Sequence, residues 1–436
     1  MARRGPRLLR AALAVLVLVA GARGARAQTS APIPARPPVG FPILHGVWRV
    51  DGTDPALPDA DLQPLRGILG KATVVGLGES IHTSGGYYEA KHRLFRFLVE
   101  RLGFRAIAFE TPWLAGDTAN RYVQTCEGDP DTASAGFFGV WRSRELSALL
   151  GWMCEWNRAH PKPKDRVAVF AFDVQYQAAQ DAEALVAFLR RVGIDPELAP
   201  FDGLARCGAV EAAFRGTQVV PPEETAACNG AARAVADRFA HDAAALIRQV
   251  GKTDFTWATL RLTGLQAWIE EMVYFDSDFE RSFAARDRGM AALFLGIRAL
   301  RMPGAKVAVW AHDAHIAKDG SGFGLVVMGS VLAGALGPRY ATLGLVGHDV
   351  SIDWRGVGCG PVPPPGAASV EELLHDLGEE ALLVDLRFPG AAPPLLTPGA
   401  TYEIVHASMV PLRAFNGLLY LEHSRAMAPL AWPPCQ

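Results

Sequence analysis

Thr73-Val-Val-Gly-Leu-Gly-Glu-Ser-Ile-His82 is the stretch on which the fold turns. Its first half, Thr73–Leu77, has strand length, carries no charge and does not alternate polar with apolar, as expected of a strand buried on both faces. Directly beyond its end stand Glu79 and His82. Three more runs repeat the plan: Arg105–Phe109 ends in Glu110, Val167–Phe172 ends in Asp173, and Lys306–Ala311 ends in His312-Asp313-Ala314-His315. Helical patterns separate the runs. Tyr88, Leu94, Phe95, Leu98 and Leu102 mark one apolar face, and Leu146, Leu149, Leu150, Met153 and Trp156 mark another. Continuous apolar strands alternating with amphipathic helices predict an α/β fold, with a largely parallel central sheet covered by helices on both faces.

Between the third and fourth runs lies residues 179–300. Val235, Phe239, Ala243, Leu246, Ile247 and Val250 give it helical spacing, and an irregular segment, 193–228, interrupts it. It reads as an inserted helical cap region. After residue 351, Pro-Gly loops mix with the short strand candidates Ala381–Val384 and Leu418–Leu421. Residues 42–436 are thus expected to form a single α/β domain, preceded by a Pro/Ala-rich linker over 28–41. Residues 1–27 read as a signal peptide: a basic start (Arg3, Arg4, Arg7, Arg10), an apolar run Ala11–Ala20, and Ala25-Arg26-Ala27 before Gln28. Such a run is too short for a bilayer core of about 30 Å. The expectation is therefore a bacterial periplasmic or secreted protein with no stable membrane span after cleavage.

The whole chain has 436 residues, 50% of them hydrophobic and 20% charged, which excludes a disordered protein. Its formal net charge of −2 conceals an asymmetry. Without the six arginines of the leader, 37 basic side chains face 45 acidic ones, a net of −8. That balance, without a basic patch carrying interleaved aromatics, speaks against a nucleic-acid partner. Six cysteines, at 126, 154, 207, 228, 359 and 435, include no C-x-x-C pair. In an oxidising compartment an even number favours disulfides, and the near neighbours Cys126–Cys154 and Cys207–Cys228 are the expected pairs.

Ligands of open parallel sheets bind at the C-terminal ends of the strands, and that is where the four runs deliver their ionisable residues. Glu79 and His82, three apart, reach the same side of a turn, where a carboxylate can orient the imidazole to take a proton from water. His312 and His315 are spaced to hold a metal or to serve as acid or oxyanion partner, with Asp313 as a further orienter. Lys91 lies on the helix after the first strand, where it either steadies a carboxylate, donates to an oxyanion or is simply solvated. Arg286, in Ala285-Arg286-Asp287-Arg288-Gly289-Met290, is either an anion clamp or half of a surface salt bridge. There is no G-x-S-x-G elbow and no phosphate-binding loop, and no cofactor is called for.

Several of these pieces, taken in order, resemble the erythromycin esterase family. They are Gly78-Glu79-Ser80-Ile81-His82, Lys91–Phe104, Ala108-Phe109-Glu110, Trp141-Arg142, Glu145–Asn157, Phe172-Asp173-Val174-Gln175, Arg286-Asp287 with Met290, and Trp310-Ala311-His312-Asp313-Ala314-His315. The likeness runs over about residues 70–350. It implies an α/β core with a helical part, and hydrolysis of an ester; antibiotic-resistance members of the family open the macrolactone of erythromycin. By position it implies an essential histidine at His82, with Glu79, Lys91, Glu110, Arg286, His312 and His315 as the other site residues. The sequence departs from the family pattern at Ile81 for threonine, Thr83 for glycine, Ala171 for glycine and Asp313 for asparagine.

The reading is an exported hydrolase of small-molecule carboxylic esters or lactones, macrolide-like ones included. His82, oriented by Glu79, would activate water, and Glu110 would place that water or share its proton. Lys91, Arg286 and His312 or His315 would stabilise the oxyanion or protonate the leaving alkoxide. Two alternatives stand beside it. One is a metal-dependent hydrolase with Glu79, His82, Glu110, His312 and His315 as ligands; the other is a non-catalytic periplasmic binding protein.

Overall fold

Alternate residues of the central strands face two different cores. Val74 packs into one and Val75 into the other; Ala106 and Ala108 face the first, Ile107 and Phe109 the second. A strand apolar at every position therefore needs cover on both sides, and helices provide it. A computed structural model describes residues 42–217, 219–321, 324–367, 369–387, 402–404 and 407–435. The expected signal peptide and linker, over 1–27 and 28–41, lie outside the described residues.

The strands are β1 (Pro42–Leu44), β2 (Val47–Arg49), β3 (Val74–Leu77), β4 (Phe104–Pro112), β5 (Ala168–Asp173), β6 (Lys306–Trp310), β7 (Tyr340–Trp354), β8 (Gly358–Pro361), β9 (Ala381–Asp385), β10 (Tyr402–Ile404), β11 (Ala407–Met409) and β12 (Gly417–Ser424). Ten of them form one sheet, ordered β1-β2-β9-β12-β7-β3-β6-β4-β5, with β8 paired to β7. The six from β12 to β5 all run parallel. An antiparallel margin begins where β9 meets β12. The expected runs reappear within one to three residues as β3, β4, β5, β6, β9 and β12. Missing from the expectation is β7, which lies at the centre of the sheet beside β3. Gly344, Gly347, His348 and Asp349 break up its apolar pattern.

The helix Gly85–Leu102 follows β3 and covers the second core with Tyr88, Leu94, Phe95 and Leu98. It stops where Gly103 turns left-handed (φ 74°) and its N–H bonds the Leu98 carbonyl. The helix Arg144–Ala159 is capped by Ser143, whose side chain accepts the Leu146 N–H. The 179–300 stretch holds the helices Ala178–Arg191, Cys207–Thr217, Pro222–Val250, Lys252–Tyr274 and Phe279–Arg301. Leu185, Leu265, Trp268 and Phe294 from these helices join Phe170 and Phe172 of β5 in the first core. These helices thus form a layer against the β5 side of the sheet.

All six cysteines pair, as Cys126–Cys154, Cys207–Cys228 and Cys359–Cys435. The first two are the pairs expected from sequence proximity. Among the described residues, no helix is long and apolar enough to cross a membrane.

Candidate active site

The chain leaves β3 through Gly78. A Cβ there would fall 1.6 Å from Asp313 Oδ1, so only glycine lets the β3 and β6 ends come this close. The turn that follows brings Glu79 and His82 together, with His82 Nδ1 and Glu79 Oε1 2.7 Å apart. Thr83 then takes a left-handed conformation (φ 65°), at a position where the resembled pattern has glycine. Its N–H donates to the Tyr88 hydroxyl.

Lys91 is fully buried and not solvated. Its ammonium donates to the other Glu79 oxygen at 2.6 Å and to the Ala311 carbonyl at 3.3 Å. It also lies 4.6 Å from the centre of the Trp310 ring. Burial pushes the Lys91 pKa down, against the pull of Glu79. The carboxylate is thus held by a cation on one oxygen and by an imidazole on the other. The His82 side chain keeps 16% exposure, and its Nε2 has no hydrogen-bond partner among the described residues.

A second network occupies the other half of the site. Arg286, on the helix Phe279–Arg301, is largely but not fully buried and donates from Nε and a terminal nitrogen to Asp173 at the end of β5. It donates to Glu110 Oε1 at 3.0 Å. Instead of a surface salt bridge, Arg286 is a largely enclosed cation between two strand ends. Burial would raise the Glu110 pKa, but His315, Arg286 and His82 together hold it well below the usual carboxylate range. Its second oxygen accepts the backbone N–H of His312 at 2.9 Å.

His315 sits between carboxylates: Nδ1 is 2.9 Å from Asp287 Oδ2, and Nε2 is 3.3 Å from Glu110 Oε1. Burial opposes a charge on His315, yet Asp287 and Glu110 outweigh it and push the imidazole up to about 10. His312 goes the other way. Burial first, then repulsion from His82 and His315, hold it well below the ordinary imidazole value. Its Nδ1 accepts the Ala314 N–H at 3.1 Å, which leaves the proton of the neutral ring on Nε2.

The residues expected from sequence therefore all meet at one edge of the sheet. The His82 ring packs edge-on against His312 (centroids 5.0 Å apart), Trp141 (4.7 Å) and Trp354 (5.5 Å). Sequence reasoning did not assign the two tryptophan walls, and it did not foresee Asp173 and Asp287 as partners of Arg286 and His315. Asp287 had one local signal, its place beside Arg286. Trp354 had none, because β7 itself was unrecognised. A cleft of about 590 Å3 adjoins this edge, lined among others by Pro112, Phe138, Gly139, Tyr176 and Arg215. As a metal cage the set fits poorly. Glu79 and Glu110 are already paired with Lys91 and Arg286, and His315 lies 3.3 Å from the Arg286 guanidinium.

A family model for erythromycin esterase matches residues 99–424. The chain is 26% identical over 306 residues to the type II erythromycin esterase of Escherichia coli, covering 66% of this chain and 72% of the relative. It is 24% identical over 399 residues to the putative hydrolase YbfO of Bacillus subtilis, covering 83% and 86%. Among solved structures, a mutant of the erythromycin esterase EreC in its open conformation superposes with a TM-score of 0.69 at 18% identity, over 88% of this chain and 99% of that one. A Bacillus cereus protein does so with a TM-score of 0.69 at 20% identity, over 88% and 97%.

Proposed function

The chain belongs to the erythromycin esterase family, and from that membership and the geometry around His82 we propose an exported hydrolase of carboxylic esters or lactones whose attacking water is activated by His82. The observation that carries the proposal is the chain Lys91–Glu79–His82. Glu79 accepts the Nδ1 proton and fixes the tautomer, so the Nε2 lone pair faces the open side of the site. Lys91 holds the Glu79 carboxylate in place; with its ammonium engaged and buried, it acts as a positioning residue and does not touch the oxyanion.

Water approaching the ester carbonyl gives its proton to His82 Nε2 as its oxygen bonds the carbonyl carbon. The negative charge moves to the carbonyl oxygen, and His312, neutral with its proton on Nε2, is the donor next to His82 that meets it. Protonated His82 then returns the proton to the leaving alkoxide as the C–O bond breaks. Glu110 holds the His312 backbone through one oxygen and the Arg286 guanidinium through the other. Arg286 and His315 hold Glu110 in turn.

Three disulfides and the leader-like residues 1–27 support export. Macrolide-like lactones are the first substrates to try, since the E. coli relative is named an erythromycin esterase. The test is turnover of aryl esters, simple lactones and macrolides by the mature protein. The His82→Ala variant is expected to lose about 10²–10⁴-fold in kcat while remaining folded. Activity within a few fold of wild type in that variant would remove His82 from the mechanism. No turnover of any ester or lactone, with tight binding of one, would favour a binding protein.

A further inference from the structure

A second histidine–carboxylate cluster lies outside the cleft. It joins His348 on β7, Glu422 on β12, and Glu372 and His375 on the helix Val370–His375. One nitrogen of each imidazole and one oxygen of Glu422 lie within 4.8 Å of one another. The two rings stack with centroids 4.0 Å apart, so their nitrogens sit side by side.

His348 faces carboxylates with both nitrogens: Nδ1 is 3.0 Å from Asp349 Oδ1, and Nε2 is 3.2 Å from Glu372 Oε2. A neutral imidazole has a single N–H. With carboxylates at both nitrogens, the ring is satisfied either as an imidazolium, the arrangement His315 has, or as a neutral ring whose second nitrogen meets a metal cation. His375 Nδ1 is 2.8 Å from Glu422 Oε1, while Glu422 Oε2 is taken by the Tyr420 hydroxyl. Asp349, Glu372 and Glu422 bring three negative charges together, and among the described residues no lysine or arginine pairs with them. In the candidate active site, by contrast, Lys91 and Arg286 answer the glutamates.

We propose that His348, His375 and Glu422, with a water completing the shell, bind a zinc ion that ties the helix Val370–His375 to β7 and β12. Imidazole and carboxylate are the ligand types zinc takes, in a four-coordinate shell. Asp349 already occupies the place of an outer carboxylate, accepting the Nδ1–H of His348 so that Nε2 is left for the metal. Tyr420 holds Glu422 in the same way. The half-exposed His375 ring leaves the ion a path from solvent.

The test is calorimetric titration of zinc chloride into the untagged, chelator-treated full chain, with melting temperature read in parallel. One zinc ion per chain and a raised melting temperature are expected. The His348→Asn/His375→Asn variant should lose about a hundredfold or more in affinity, and Asp349→Asn about tenfold. Since both histidines are partly exposed, their loss should leave ester hydrolysis unchanged. Should the double variant fail to fold, the single variant His375→Asn, at the more exposed of the two histidines, is titrated instead and is expected to weaken binding at least tenfold. No zinc uptake by wild type, or equal affinity in wild type and variants, overturns the proposal.

Discussion

The two halves of the candidate active site use the same residue types to opposite ends. On one side Glu79 orients His82 through one nitrogen and leaves the other without a hydrogen-bond partner among the described residues. On the other side Asp287 and Glu110 hold both nitrogens of His315, and the ring is buried. A histidine with a free edge can exchange a proton in each turnover. One enclosed by two carboxylates is a fixed cation and works as structure. The cations differ in kind as well: Lys91 serves a single carboxylate, whereas Arg286 spans Asp173 and Glu110 with its planar fork.

The division leads to opposite outcomes for mutation. The largest effect should fall on rate: His82→Ala costs about 10²–10⁴-fold in kcat. Its unfolding free energy should fall by only about 1–3 kcal/mol: the ring is partly exposed, but its removal leaves a buried Glu79 oxygen without that partner. Arg286→Met should show the reverse emphasis. It leaves Glu110 and Asp173 buried without their cation, and chemical denaturation should register a loss of about 3–5 kcal/mol. If Arg286→Met unfolds at the wild-type denaturant midpoint, the second half is not the anchor described here.

A pH titration separates the halves further. The His315 imidazole is raised in the folded chain from its ordinary 6.5 to about 10. Its contribution to stability is therefore complete below about pH 6.5 and is lost as pH rises toward 10. The size is on the order of 3 kcal/mol, the stabilisation that a shift of this kind carries after allowance for coupling to Asp287. Asp181, pushed up to about 7, and Glu271, pushed up to about 8, also weaken the fold as pH rises, so the wild-type curve alone is not diagnostic. The readout is the difference in slope between wild type and His315→Gln across pH 6.5–10. Parallel curves would show that His315 is not held as a cation.

The same contrast marks how far the sequence could be read. The first half is nearly local: Glu79, His82 and Lys91 lie within 13 residues, on one strand end and the helix after it, so spacing alone brought the first two together. The sheet was recoverable for a similar reason, since β3, β4, β5 and β6 are short apolar runs with nothing to interrupt them. Spacing failed where partners come from distant elements. Asp173 and Arg286 are 113 residues apart, and His315 meets Asp287 across 28. Lys91 looked solvated because a lone lysine on a helix usually is; only the packing of Trp310 and Glu79 around it shows that it is interior. Trp354 was out of reach because the glycines and polar residues of β7 hide a central strand, whose cover comes from neighbours on both sides.

The smallest effect sits in the turn that joins the two kinds of reading. Thr83 follows His82 and adopts φ 65°, a conformation that a β-branched residue takes only at a cost. Its hydroxyl is buried with no hydrogen-bond partner among the described residues. Thr83→Gly removes both penalties and keeps the backbone N–H that donates to the Tyr88 hydroxyl and the carbonyl that accepts from Met427. Against this stand the loss of a small buried side chain and the greater freedom of glycine in the unfolded chain. The balance should favour the variant by about 1 kcal/mol. Thermal and denaturant unfolding would detect that gain, while kcat stays near wild type because His82 and Glu79 keep their places. A destabilised Thr83→Gly would mean that the threonine methyl packs well enough to outweigh the strain. A stable variant with reduced kcat would mean that the strained turn is what holds His82 against Glu79.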